Sequence, residues 1–182
     1  MEFLTIDEWD EELWQMAEPV YQQAFRAHGG KSEKIIRSMF KKKMCHLQVV
    51  IDQSEAIAMA LTGKLETLNA LLIDYLAVRE DRRKQGIGHM FTEYIKNWAG
   101  TAGHLDGIMI EVESEVTPTN LKRTHFWQQC GFTITDYVHT YVWVPEPYRA
   151  MYLNLHPQAK MPQDGKTLFQ HISQFHNKAY RG

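Results

Sequence analysis

The chain has 182 residues, 44% of them apolar, enough for one sizeable buried core and short for two independent ones. Its formal net charge of −2 gives no global field for nucleic acid or an anionic membrane, so any basic function must be local. The only cysteines, Cys45 and Cys130, form no Cys-x-x-Cys arrangement, which argues against a disulfide framework and a thiolate zinc site.

The opening segment "MEFLTIDEWDEE" is acidic where a secretory leader would be basic. No apolar run approaches the ~20 residues that spanning a membrane requires. A soluble, cytoplasmic protein with two free thiols is expected. None of the nine histidines lies in a His-Glu-x-x-His motif, and His171 and His176 are five apart, off the spacing that shares a helical face. No metal is expected.

"EFLTI" reads as a short strand ended by Asp7, a residue suited to capping the acidic segment that follows. Two helices are expected next, Glu8 to Ala27 and Ser32 to Lys43, divided by Gly29-Gly30, with Pro19 interrupting or restarting the first. From His46 the pattern changes to strands: "HLQVVI", "AIAMALTG" and "TLNALLIDYLAV" suit an antiparallel meander. From Gly86 to Ala99 the residues Ile87, Met90, Phe91, Tyr94, Ile95 and Trp98 follow a helical period.

"IMIEVE" is the next strand, followed through Thr117-Pro118-Thr119 by a helix from about Asn120 to Cys130 that Gly131 stops. "FTITDYVHTYVWV" and "RAMYLNL" read as two last strands with Pro145 and Pro147 between them. Strand runs separated by helices predict a mixed α/β sheet with helices on both faces. The tail from His156 lies outside that unit, and Leu168, Phe169, Ile172 and Phe175 would form one amphipathic helix in it.

Between "YLAV" and the Gly86 helix stands Arg83-Lys84-Gln85-Gly86-Ile87-Gly88. A strand, a glycine turn and then a helix present main-chain amides to an anion. A Walker A loop is missing, and a dinucleotide fingerprint starting at Gly86 would need a third glycine where Phe91 stands. What remains is Arg or Gln, two residues, Gly, one residue, then Gly or Ala.

In that motif, in the order around it and in "NLKRTHFWQQCGF", the chain resembles the GNAT superfamily of acetyl-CoA-dependent N-acyltransferases. The resemblance runs from Phe3 to Leu155. It implies a GNAT-like domain over residues 1–155 with about seven largely antiparallel strands, and an extension at 156–182 packed on the domain or on a partner subunit, a homodimer included.

The resemblance also implies a coenzyme A site. The main chain at Leu76, Ala77 and Val78 would pair with the pantetheine arm. The diphosphate would lie on Arg82, Arg83, Lys84 and Gln85 and on the amides of Gly86, Ile87, Gly88 and His89. Asn120, equally suited to capping its helix, would touch the cofactor arm, with Trp127 beside it.

An amine with a lysine-like pKa of ~10.4 needs a base before it can attack. Glu111 matches a glutamate proposed for that role in family members that acetylate protein N-termini. Asp74 and Glu113 are the alternatives, and the strand position used by histone-modifying members corresponds to Leu72. Where the family places a tyrosine acid, seven residues after Asn120, stands Trp127, which has no useful proton to give. Thr124, Cys130, Tyr137 and Tyr141 are the substitutes in reach.

The activity implied is acetyl transfer from acetyl-CoA to a primary amine, of a small molecule or of a protein. The alternatives are a coenzyme A-binding module without catalysis and a partner-binding domain that uses the tail helix.

Overall fold

A computed structural model describes residues 1–27 and 29–181. The protein is a mixed α/β fold with strands β1 Glu2–Ile6, β2 Cys45–Asp52, β3 Glu55–Leu65, β4 Ala70–Val78, β5 Gly107–Glu113, β6 Thr133–Ile134, β7 His139–Tyr141 and β8 Val144–Asn154. The helices are α1 Glu11–Phe25, α2 Glu33–Lys41, α3 Ile87–Thr101, α4 Pro118–Gln129 and α5 Gly165–Tyr180. The strands bond in the order β1-β2-β3-β4-β5-β8-β6, with β7 on β8. The chain divides into two compact units, one of Met1–Lys64, Ile73–Ile95 and Asn177–Gly182, the other of Leu65–Leu72 and Lys96–His176.

In the first unit β1 and β3 flank β2 in antiparallel register, with Leu4 opposite Val49 and Val49 opposite Met59. The turn from β2 to β3 holds Gln53 and Ser54 at φ of 50° and 66°, the double left-handed conformation that matches the twist of a two-residue hairpin. Trp14, Ala17, Val20 and Tyr21 of α1 and Ile36, Met39 and Phe40 of α2 are buried. Burying each of the larger side chains is worth ~1.5–3 kcal/mol. On α3, Phe91 is buried and Tyr94 donates to or accepts from Thr5 Oγ1 at 2.8 Å.

Two details of α1 differ from the sequence reading. The cap is Asp10, whose carboxylate accepts the Leu13 N–H at 2.9 Å, where Asp7 was expected. The helix also runs unbroken through Pro19. A proline inside a helix costs ~3 kcal/mol or more, and here buried residues on both sides of it, Trp14 and Ala17 before and Val20 and Tyr21 after, hold one continuous packed face.

In the second unit Ala70–Leu72 of β4 pair in parallel with Gly107–Met109 of β5. β5 pairs antiparallel with β8, with Glu111 opposite Ala150 and Glu113 opposite Tyr148. The expected strand "FTITDYVHTYVWV" is instead two short pieces, β6 and β7, both on β8. Pro145 and Pro147, expected between strands, lie inside β8. Pro147 joins the ladder there through its carbonyl alone, which accepts the Ser114 N–H at 2.9 Å, just past the end of β5, where a proline forgoes a single terminal ladder bond.

The tail helix forms as α5. Asp164 precedes it and accepts the N–H groups of Lys166 and Thr167 at 3.2 and 3.1 Å, satisfying amides that a helix start leaves open. Leu168, Phe169, Ile172 and Phe175 are buried. Gly165 permits the approach, because a Cβ there would stand 2.5 Å from Thr135 Oγ1. Among the described residues no helix is long and apolar enough to cross a membrane. Cys45 and Cys130 are buried and not joined in a disulfide, and burial pushes the Cys45 thiol up to about 12.

Candidate active site

The glycine loop stands where β4 hands over to α3. After Val78, Arg79 binds Glu55 at 2.8 Å and Asp81 at 2.7 Å, fixing the 3-10 turn Glu80–Arg82. Lys84 and Gly86 then take φ of 62° and 79°, and α3 begins at Ile87. The Met90 N–H donates back to the Gly86 carbonyl at 3.1 Å. The amides before it thus lie in the first turn, where a helix has no carbonyl to offer them and carries its positive dipole end.

Nothing lies within 4 Å of the position a Cβ on Gly86 would take. A positive φ at a glycine with open space beside it suits close backbone approach by a diphosphate. Lys84, Gln85 and His89 are exposed around this mouth.

Arg82 and Arg83 are each held by neighbours. Arg82 is held by Asp52 at 2.7 Å, whose carboxyl the guanidinium keeps below its ordinary range. Arg83 donates from Nε to the Val78 carbonyl at 3.0 Å and lies 3.7 Å from Glu80. Upstream, Leu76 and Val78 are half-buried and Ala77 is buried.

Asp74, two residues before Leu76, is bound to Lys31. The Lys31 ammonium meets Asp74 Oδ2 at 2.7 Å, with side chains only 1% and 4% exposed. Tyr21 O–H donates to the Lys31 carbonyl at 2.9 Å, and the Lys31 N–H donates to Tyr75 Oη at 3.2 Å. Burial raises both tyrosine hydroxyls above their ordinary range. The rings of Tyr75 and Tyr180 lie 5.0 and 5.5 Å from the ammonium.

In the second unit Glu111 is half-buried on β5. Tyr141 O–H donates to Glu111 Oε1 at 2.8 Å, and His176 Nε2 lies 2.6 Å from Glu111 Oε2. His139 stacks on Phe169 of α5 at 4.4 Å and 13°, and burial lowers its pKa. Tyr148 on β8 is pushed up to about 12, by burial first and then by the carboxylates of Glu113, Glu111 and Glu146. Glu113 itself lies 3.8 Å from Arg123 of α4. Tyr137, also a candidate, packs its ring 6.1 Å from those of His139 and Phe169.

On α4 the cap is Thr117, whose side chain accepts the Asn120 N–H at 3.1 Å. Asn120 is therefore inside the helix, where its buried amide donates to the Glu115 carbonyl at 3.1 Å. Trp127 sets its ring edge-on to Phe132 at 5.3 Å, and Cys130 closes the helix with its side chain buried. Thr124 is half-buried on the same helix.

With this geometry in place, comparison with known proteins decides the family. Residues 5–132 match the model of the Acetyltransferase (GNAT) family. The chain belongs to that family. As a GNAT acetyltransferase it is an acyltransferase that uses acetyl-CoA. No curated protein matches the sequence.

Among solved structures, an aminoglycoside 6'-N-acetyltransferase complexed with coenzyme A is 15% identical with a TM-score of 0.69, over 88% of this chain and 100% of that one. A GNAT-family protein from Bacteroides thetaiotaomicron is 17% identical with a TM-score of 0.72, over 95% of each chain. The ribosomal-protein-S18-alanine N-acetyltransferase from Escherichia coli is 17% identical with a TM-score of 0.64, over 88% of this chain and 100% of that one. At these identities the likeness is one of fold.

Two side chains that meet the candidate carboxylates of this GNAT acetyltransferase are not among the candidates named from the sequence. His176 belongs to the tail, 65 residues from the carboxylate it meets, and Lys31 is 43 residues from Asp74. His176 does follow directly on Phe175 of the apolar stripe, and that adjacency was the one signal available.

Proposed function

We propose that this acetyltransferase acetylates a primary amine by direct attack in a ternary complex, a small-molecule amine in the first place and an exposed protein amine in the second. Bound acetyl-CoA would supply the acetyl thioester. The amides from Gly86 to His89 and the charges of Lys84 and Arg83 would hold its diphosphate. The main chain of Leu76, Ala77 and Val78 would pair with its extended arm, with Asn120 as a further contact.

Glu111 is assigned as the group that takes the ammonium's proton. Asp74 fits that role less well, because its carboxylate is closed in with the Lys31 ammonium at 2.7 Å. Glu113 stays the alternative on the same strand. Tyr141 keeps its proton directed at Glu111 Oε1, which suits orienting the carboxylate. Trp127 offers no acid. With a thiol leaving group of cysteine-like pKa, ~8.5, none is required at that position. The carboxylates of Glu111, Glu113 and Glu146 around Tyr148 favour an acceptor that arrives as an ammonium ion.

The observation that carries this reading is the Glu111 carboxylate, half-buried and bonded at both oxygens. The test follows thiol release from acetyl-CoA with an aminoglycoside, a linear polyamine and an alanine-terminated peptide. Release above the amine-free rate is expected with at least one of them, with the acetylated amine seen by mass spectrometry. Calorimetric binding of coenzyme A with no release from any of them would overturn the proposal in favour of a binding module.

A further inference from the structure

We infer that His176 of the C-terminal helix is a positioning residue for Glu111, so that carboxylate and imidazole accept the acceptor's proton as one couple. This rests on the reading of Glu111 as the base. Glu111 and His176 side chains are 16% and 19% exposed, with 2.6 Å between Oε2 and Nε2. The other oxygen accepts from Tyr141 O–H at 2.8 Å. A carboxylate bonded on both oxygens is fixed in direction, which a proton acceptor requires.

α5 is built to deliver the imidazole. Leu168, Phe169, Ile172 and Phe175 bury one face of it, and Asp164 holds its first turn. His139 stacks on Phe169, while the Tyr141 ring stands edge-on to His176 at 6.0 Å and 77°. The helix thus grips β7 at the tyrosine that also binds Glu111.

In the accepting state Glu111 is ionised and His176 is neutral, its single ring proton on Nε2 and donated to Oε2. The ammonium loses one proton and the couple gains one, which leaves either a carboxylic acid beside a neutral imidazole or a carboxylate beside an imidazolium. That proton then passes to solvent. An imidazolium formed beforehand closes the couple, because the carboxylate is already neutralised by its partner. The acid limb of the rate profile therefore belongs to the pair. Other titratable groups that feel Glu111 include His139 from β7 and Tyr148 from β8, with Tyr141 bonded to it. Glu113 and Glu146 act on Tyr148.

Two measurements on the full chain test this. With the amine turned over fastest, His176→Gln keeps a donor towards Oε2 without titrating. It should lower kcat about tenfold with the KM for acetyl-CoA held within about twofold, and His176→Phe should lower kcat about 100-fold, within the range of one acid–base group. The acid limb of kcat/KM should shift in both, whereas His139→Phe, which retains the stack on Phe169, should leave it in place. A His176→Gln profile that superimposes on wild type, while Glu111→Gln is impaired, overturns the couple and leaves Glu111 as base. Full turnover by Glu111→Gln overturns the base reading itself.

The second measurement needs no turnover. Ring-nitrogen NMR shifts of His176, in 15N-histidine-labelled wild type, should place the neutral form's proton on Nε2, and Glu111→Gln should alter them. Identical shifts in the two proteins also overturn the couple.

Discussion

The loop at the start of α3 and the cluster around Glu111 are built in opposite ways. The loop is one continuous run from Arg79 to His89, closed by a 3-10 turn, two positive φ values and a helix start. The Glu111 cluster is assembled from β5, β7 and α5, with 30 residues between Glu111 and Tyr141 and 65 between Glu111 and His176. Holding an anion needs main-chain amides and a helix end, which neighbouring residues can supply. Fixing a carboxylate for proton transfer needs side chains from several directions, which only tertiary packing can bring together.

The sharpest way to test that division is to remove the carboxylate charge. Glu111→Gln preserves size, exchanges one of the two acceptor oxygens for an amide donor, and should lower kcat by ~10²–10⁴, the range for one general base. The affinity for coenzyme A, read by calorimetry, should stay within about twofold. A parallel loss of affinity would show that coenzyme A binding and proton transfer are not separable.

Asp74 sharpens it from the other side. Its carboxylate sits with the Lys31 ammonium, the two side chains 4% and 1% exposed. Removing one partner of such a pair strands a buried charge at ~3–5 kcal/mol. Asp74→Ala should therefore show its main effect in urea unfolding, and Lys31→Met with Asp74→Leu should recover much of the stability. A full-strength fold with abolished turnover would instead move the base from Glu111 to Asp74.

What the sequence revealed follows the same line. The glycine loop, the α3 periodicity and the apolar stripe of α5 are set by neighbouring residues and were legible. The breaks were tertiary. Pro19 stays inside α1 because residues on both sides of it are buried, and Pro147 stays inside β8 because it stands just past the end of β5, where only its carbonyl joins the ladder. Asp10 and Thr117 took the capping places assigned to Asp7 and Asn120, a shift of three residues in each case that hydrophobic periodicity alone does not resolve. The partner of Glu111 was out of reach for a stronger reason. Nothing local to Glu111 specifies that a helix 65 residues on will return a histidine to it.

The smallest expected effect comes from the loop itself. Gly86 has φ of 79° and open space where a side chain would stand, so a substitution there meets the strain of a left-handed backbone but no neighbouring atom. Asparagine and aspartate tolerate that conformation better than most residues, and they differ from each other by one charge. Gly86→Asp should weaken coenzyme A binding about 10- to 100-fold by placing a carboxylate against the diphosphate, and Gly86→Asn should weaken it several-fold less. At saturating acetyl-CoA both should retain most of kcat, the inverse of Glu111→Gln. The gap between the two variants should narrow as salt rises, because an exposed charge repulsion is screened over ~10 Å at 0.1 M. Equal affinities for the aspartate and asparagine variants at low salt would mean that no phosphate lies beside Gly86, and the loop would lose its assignment.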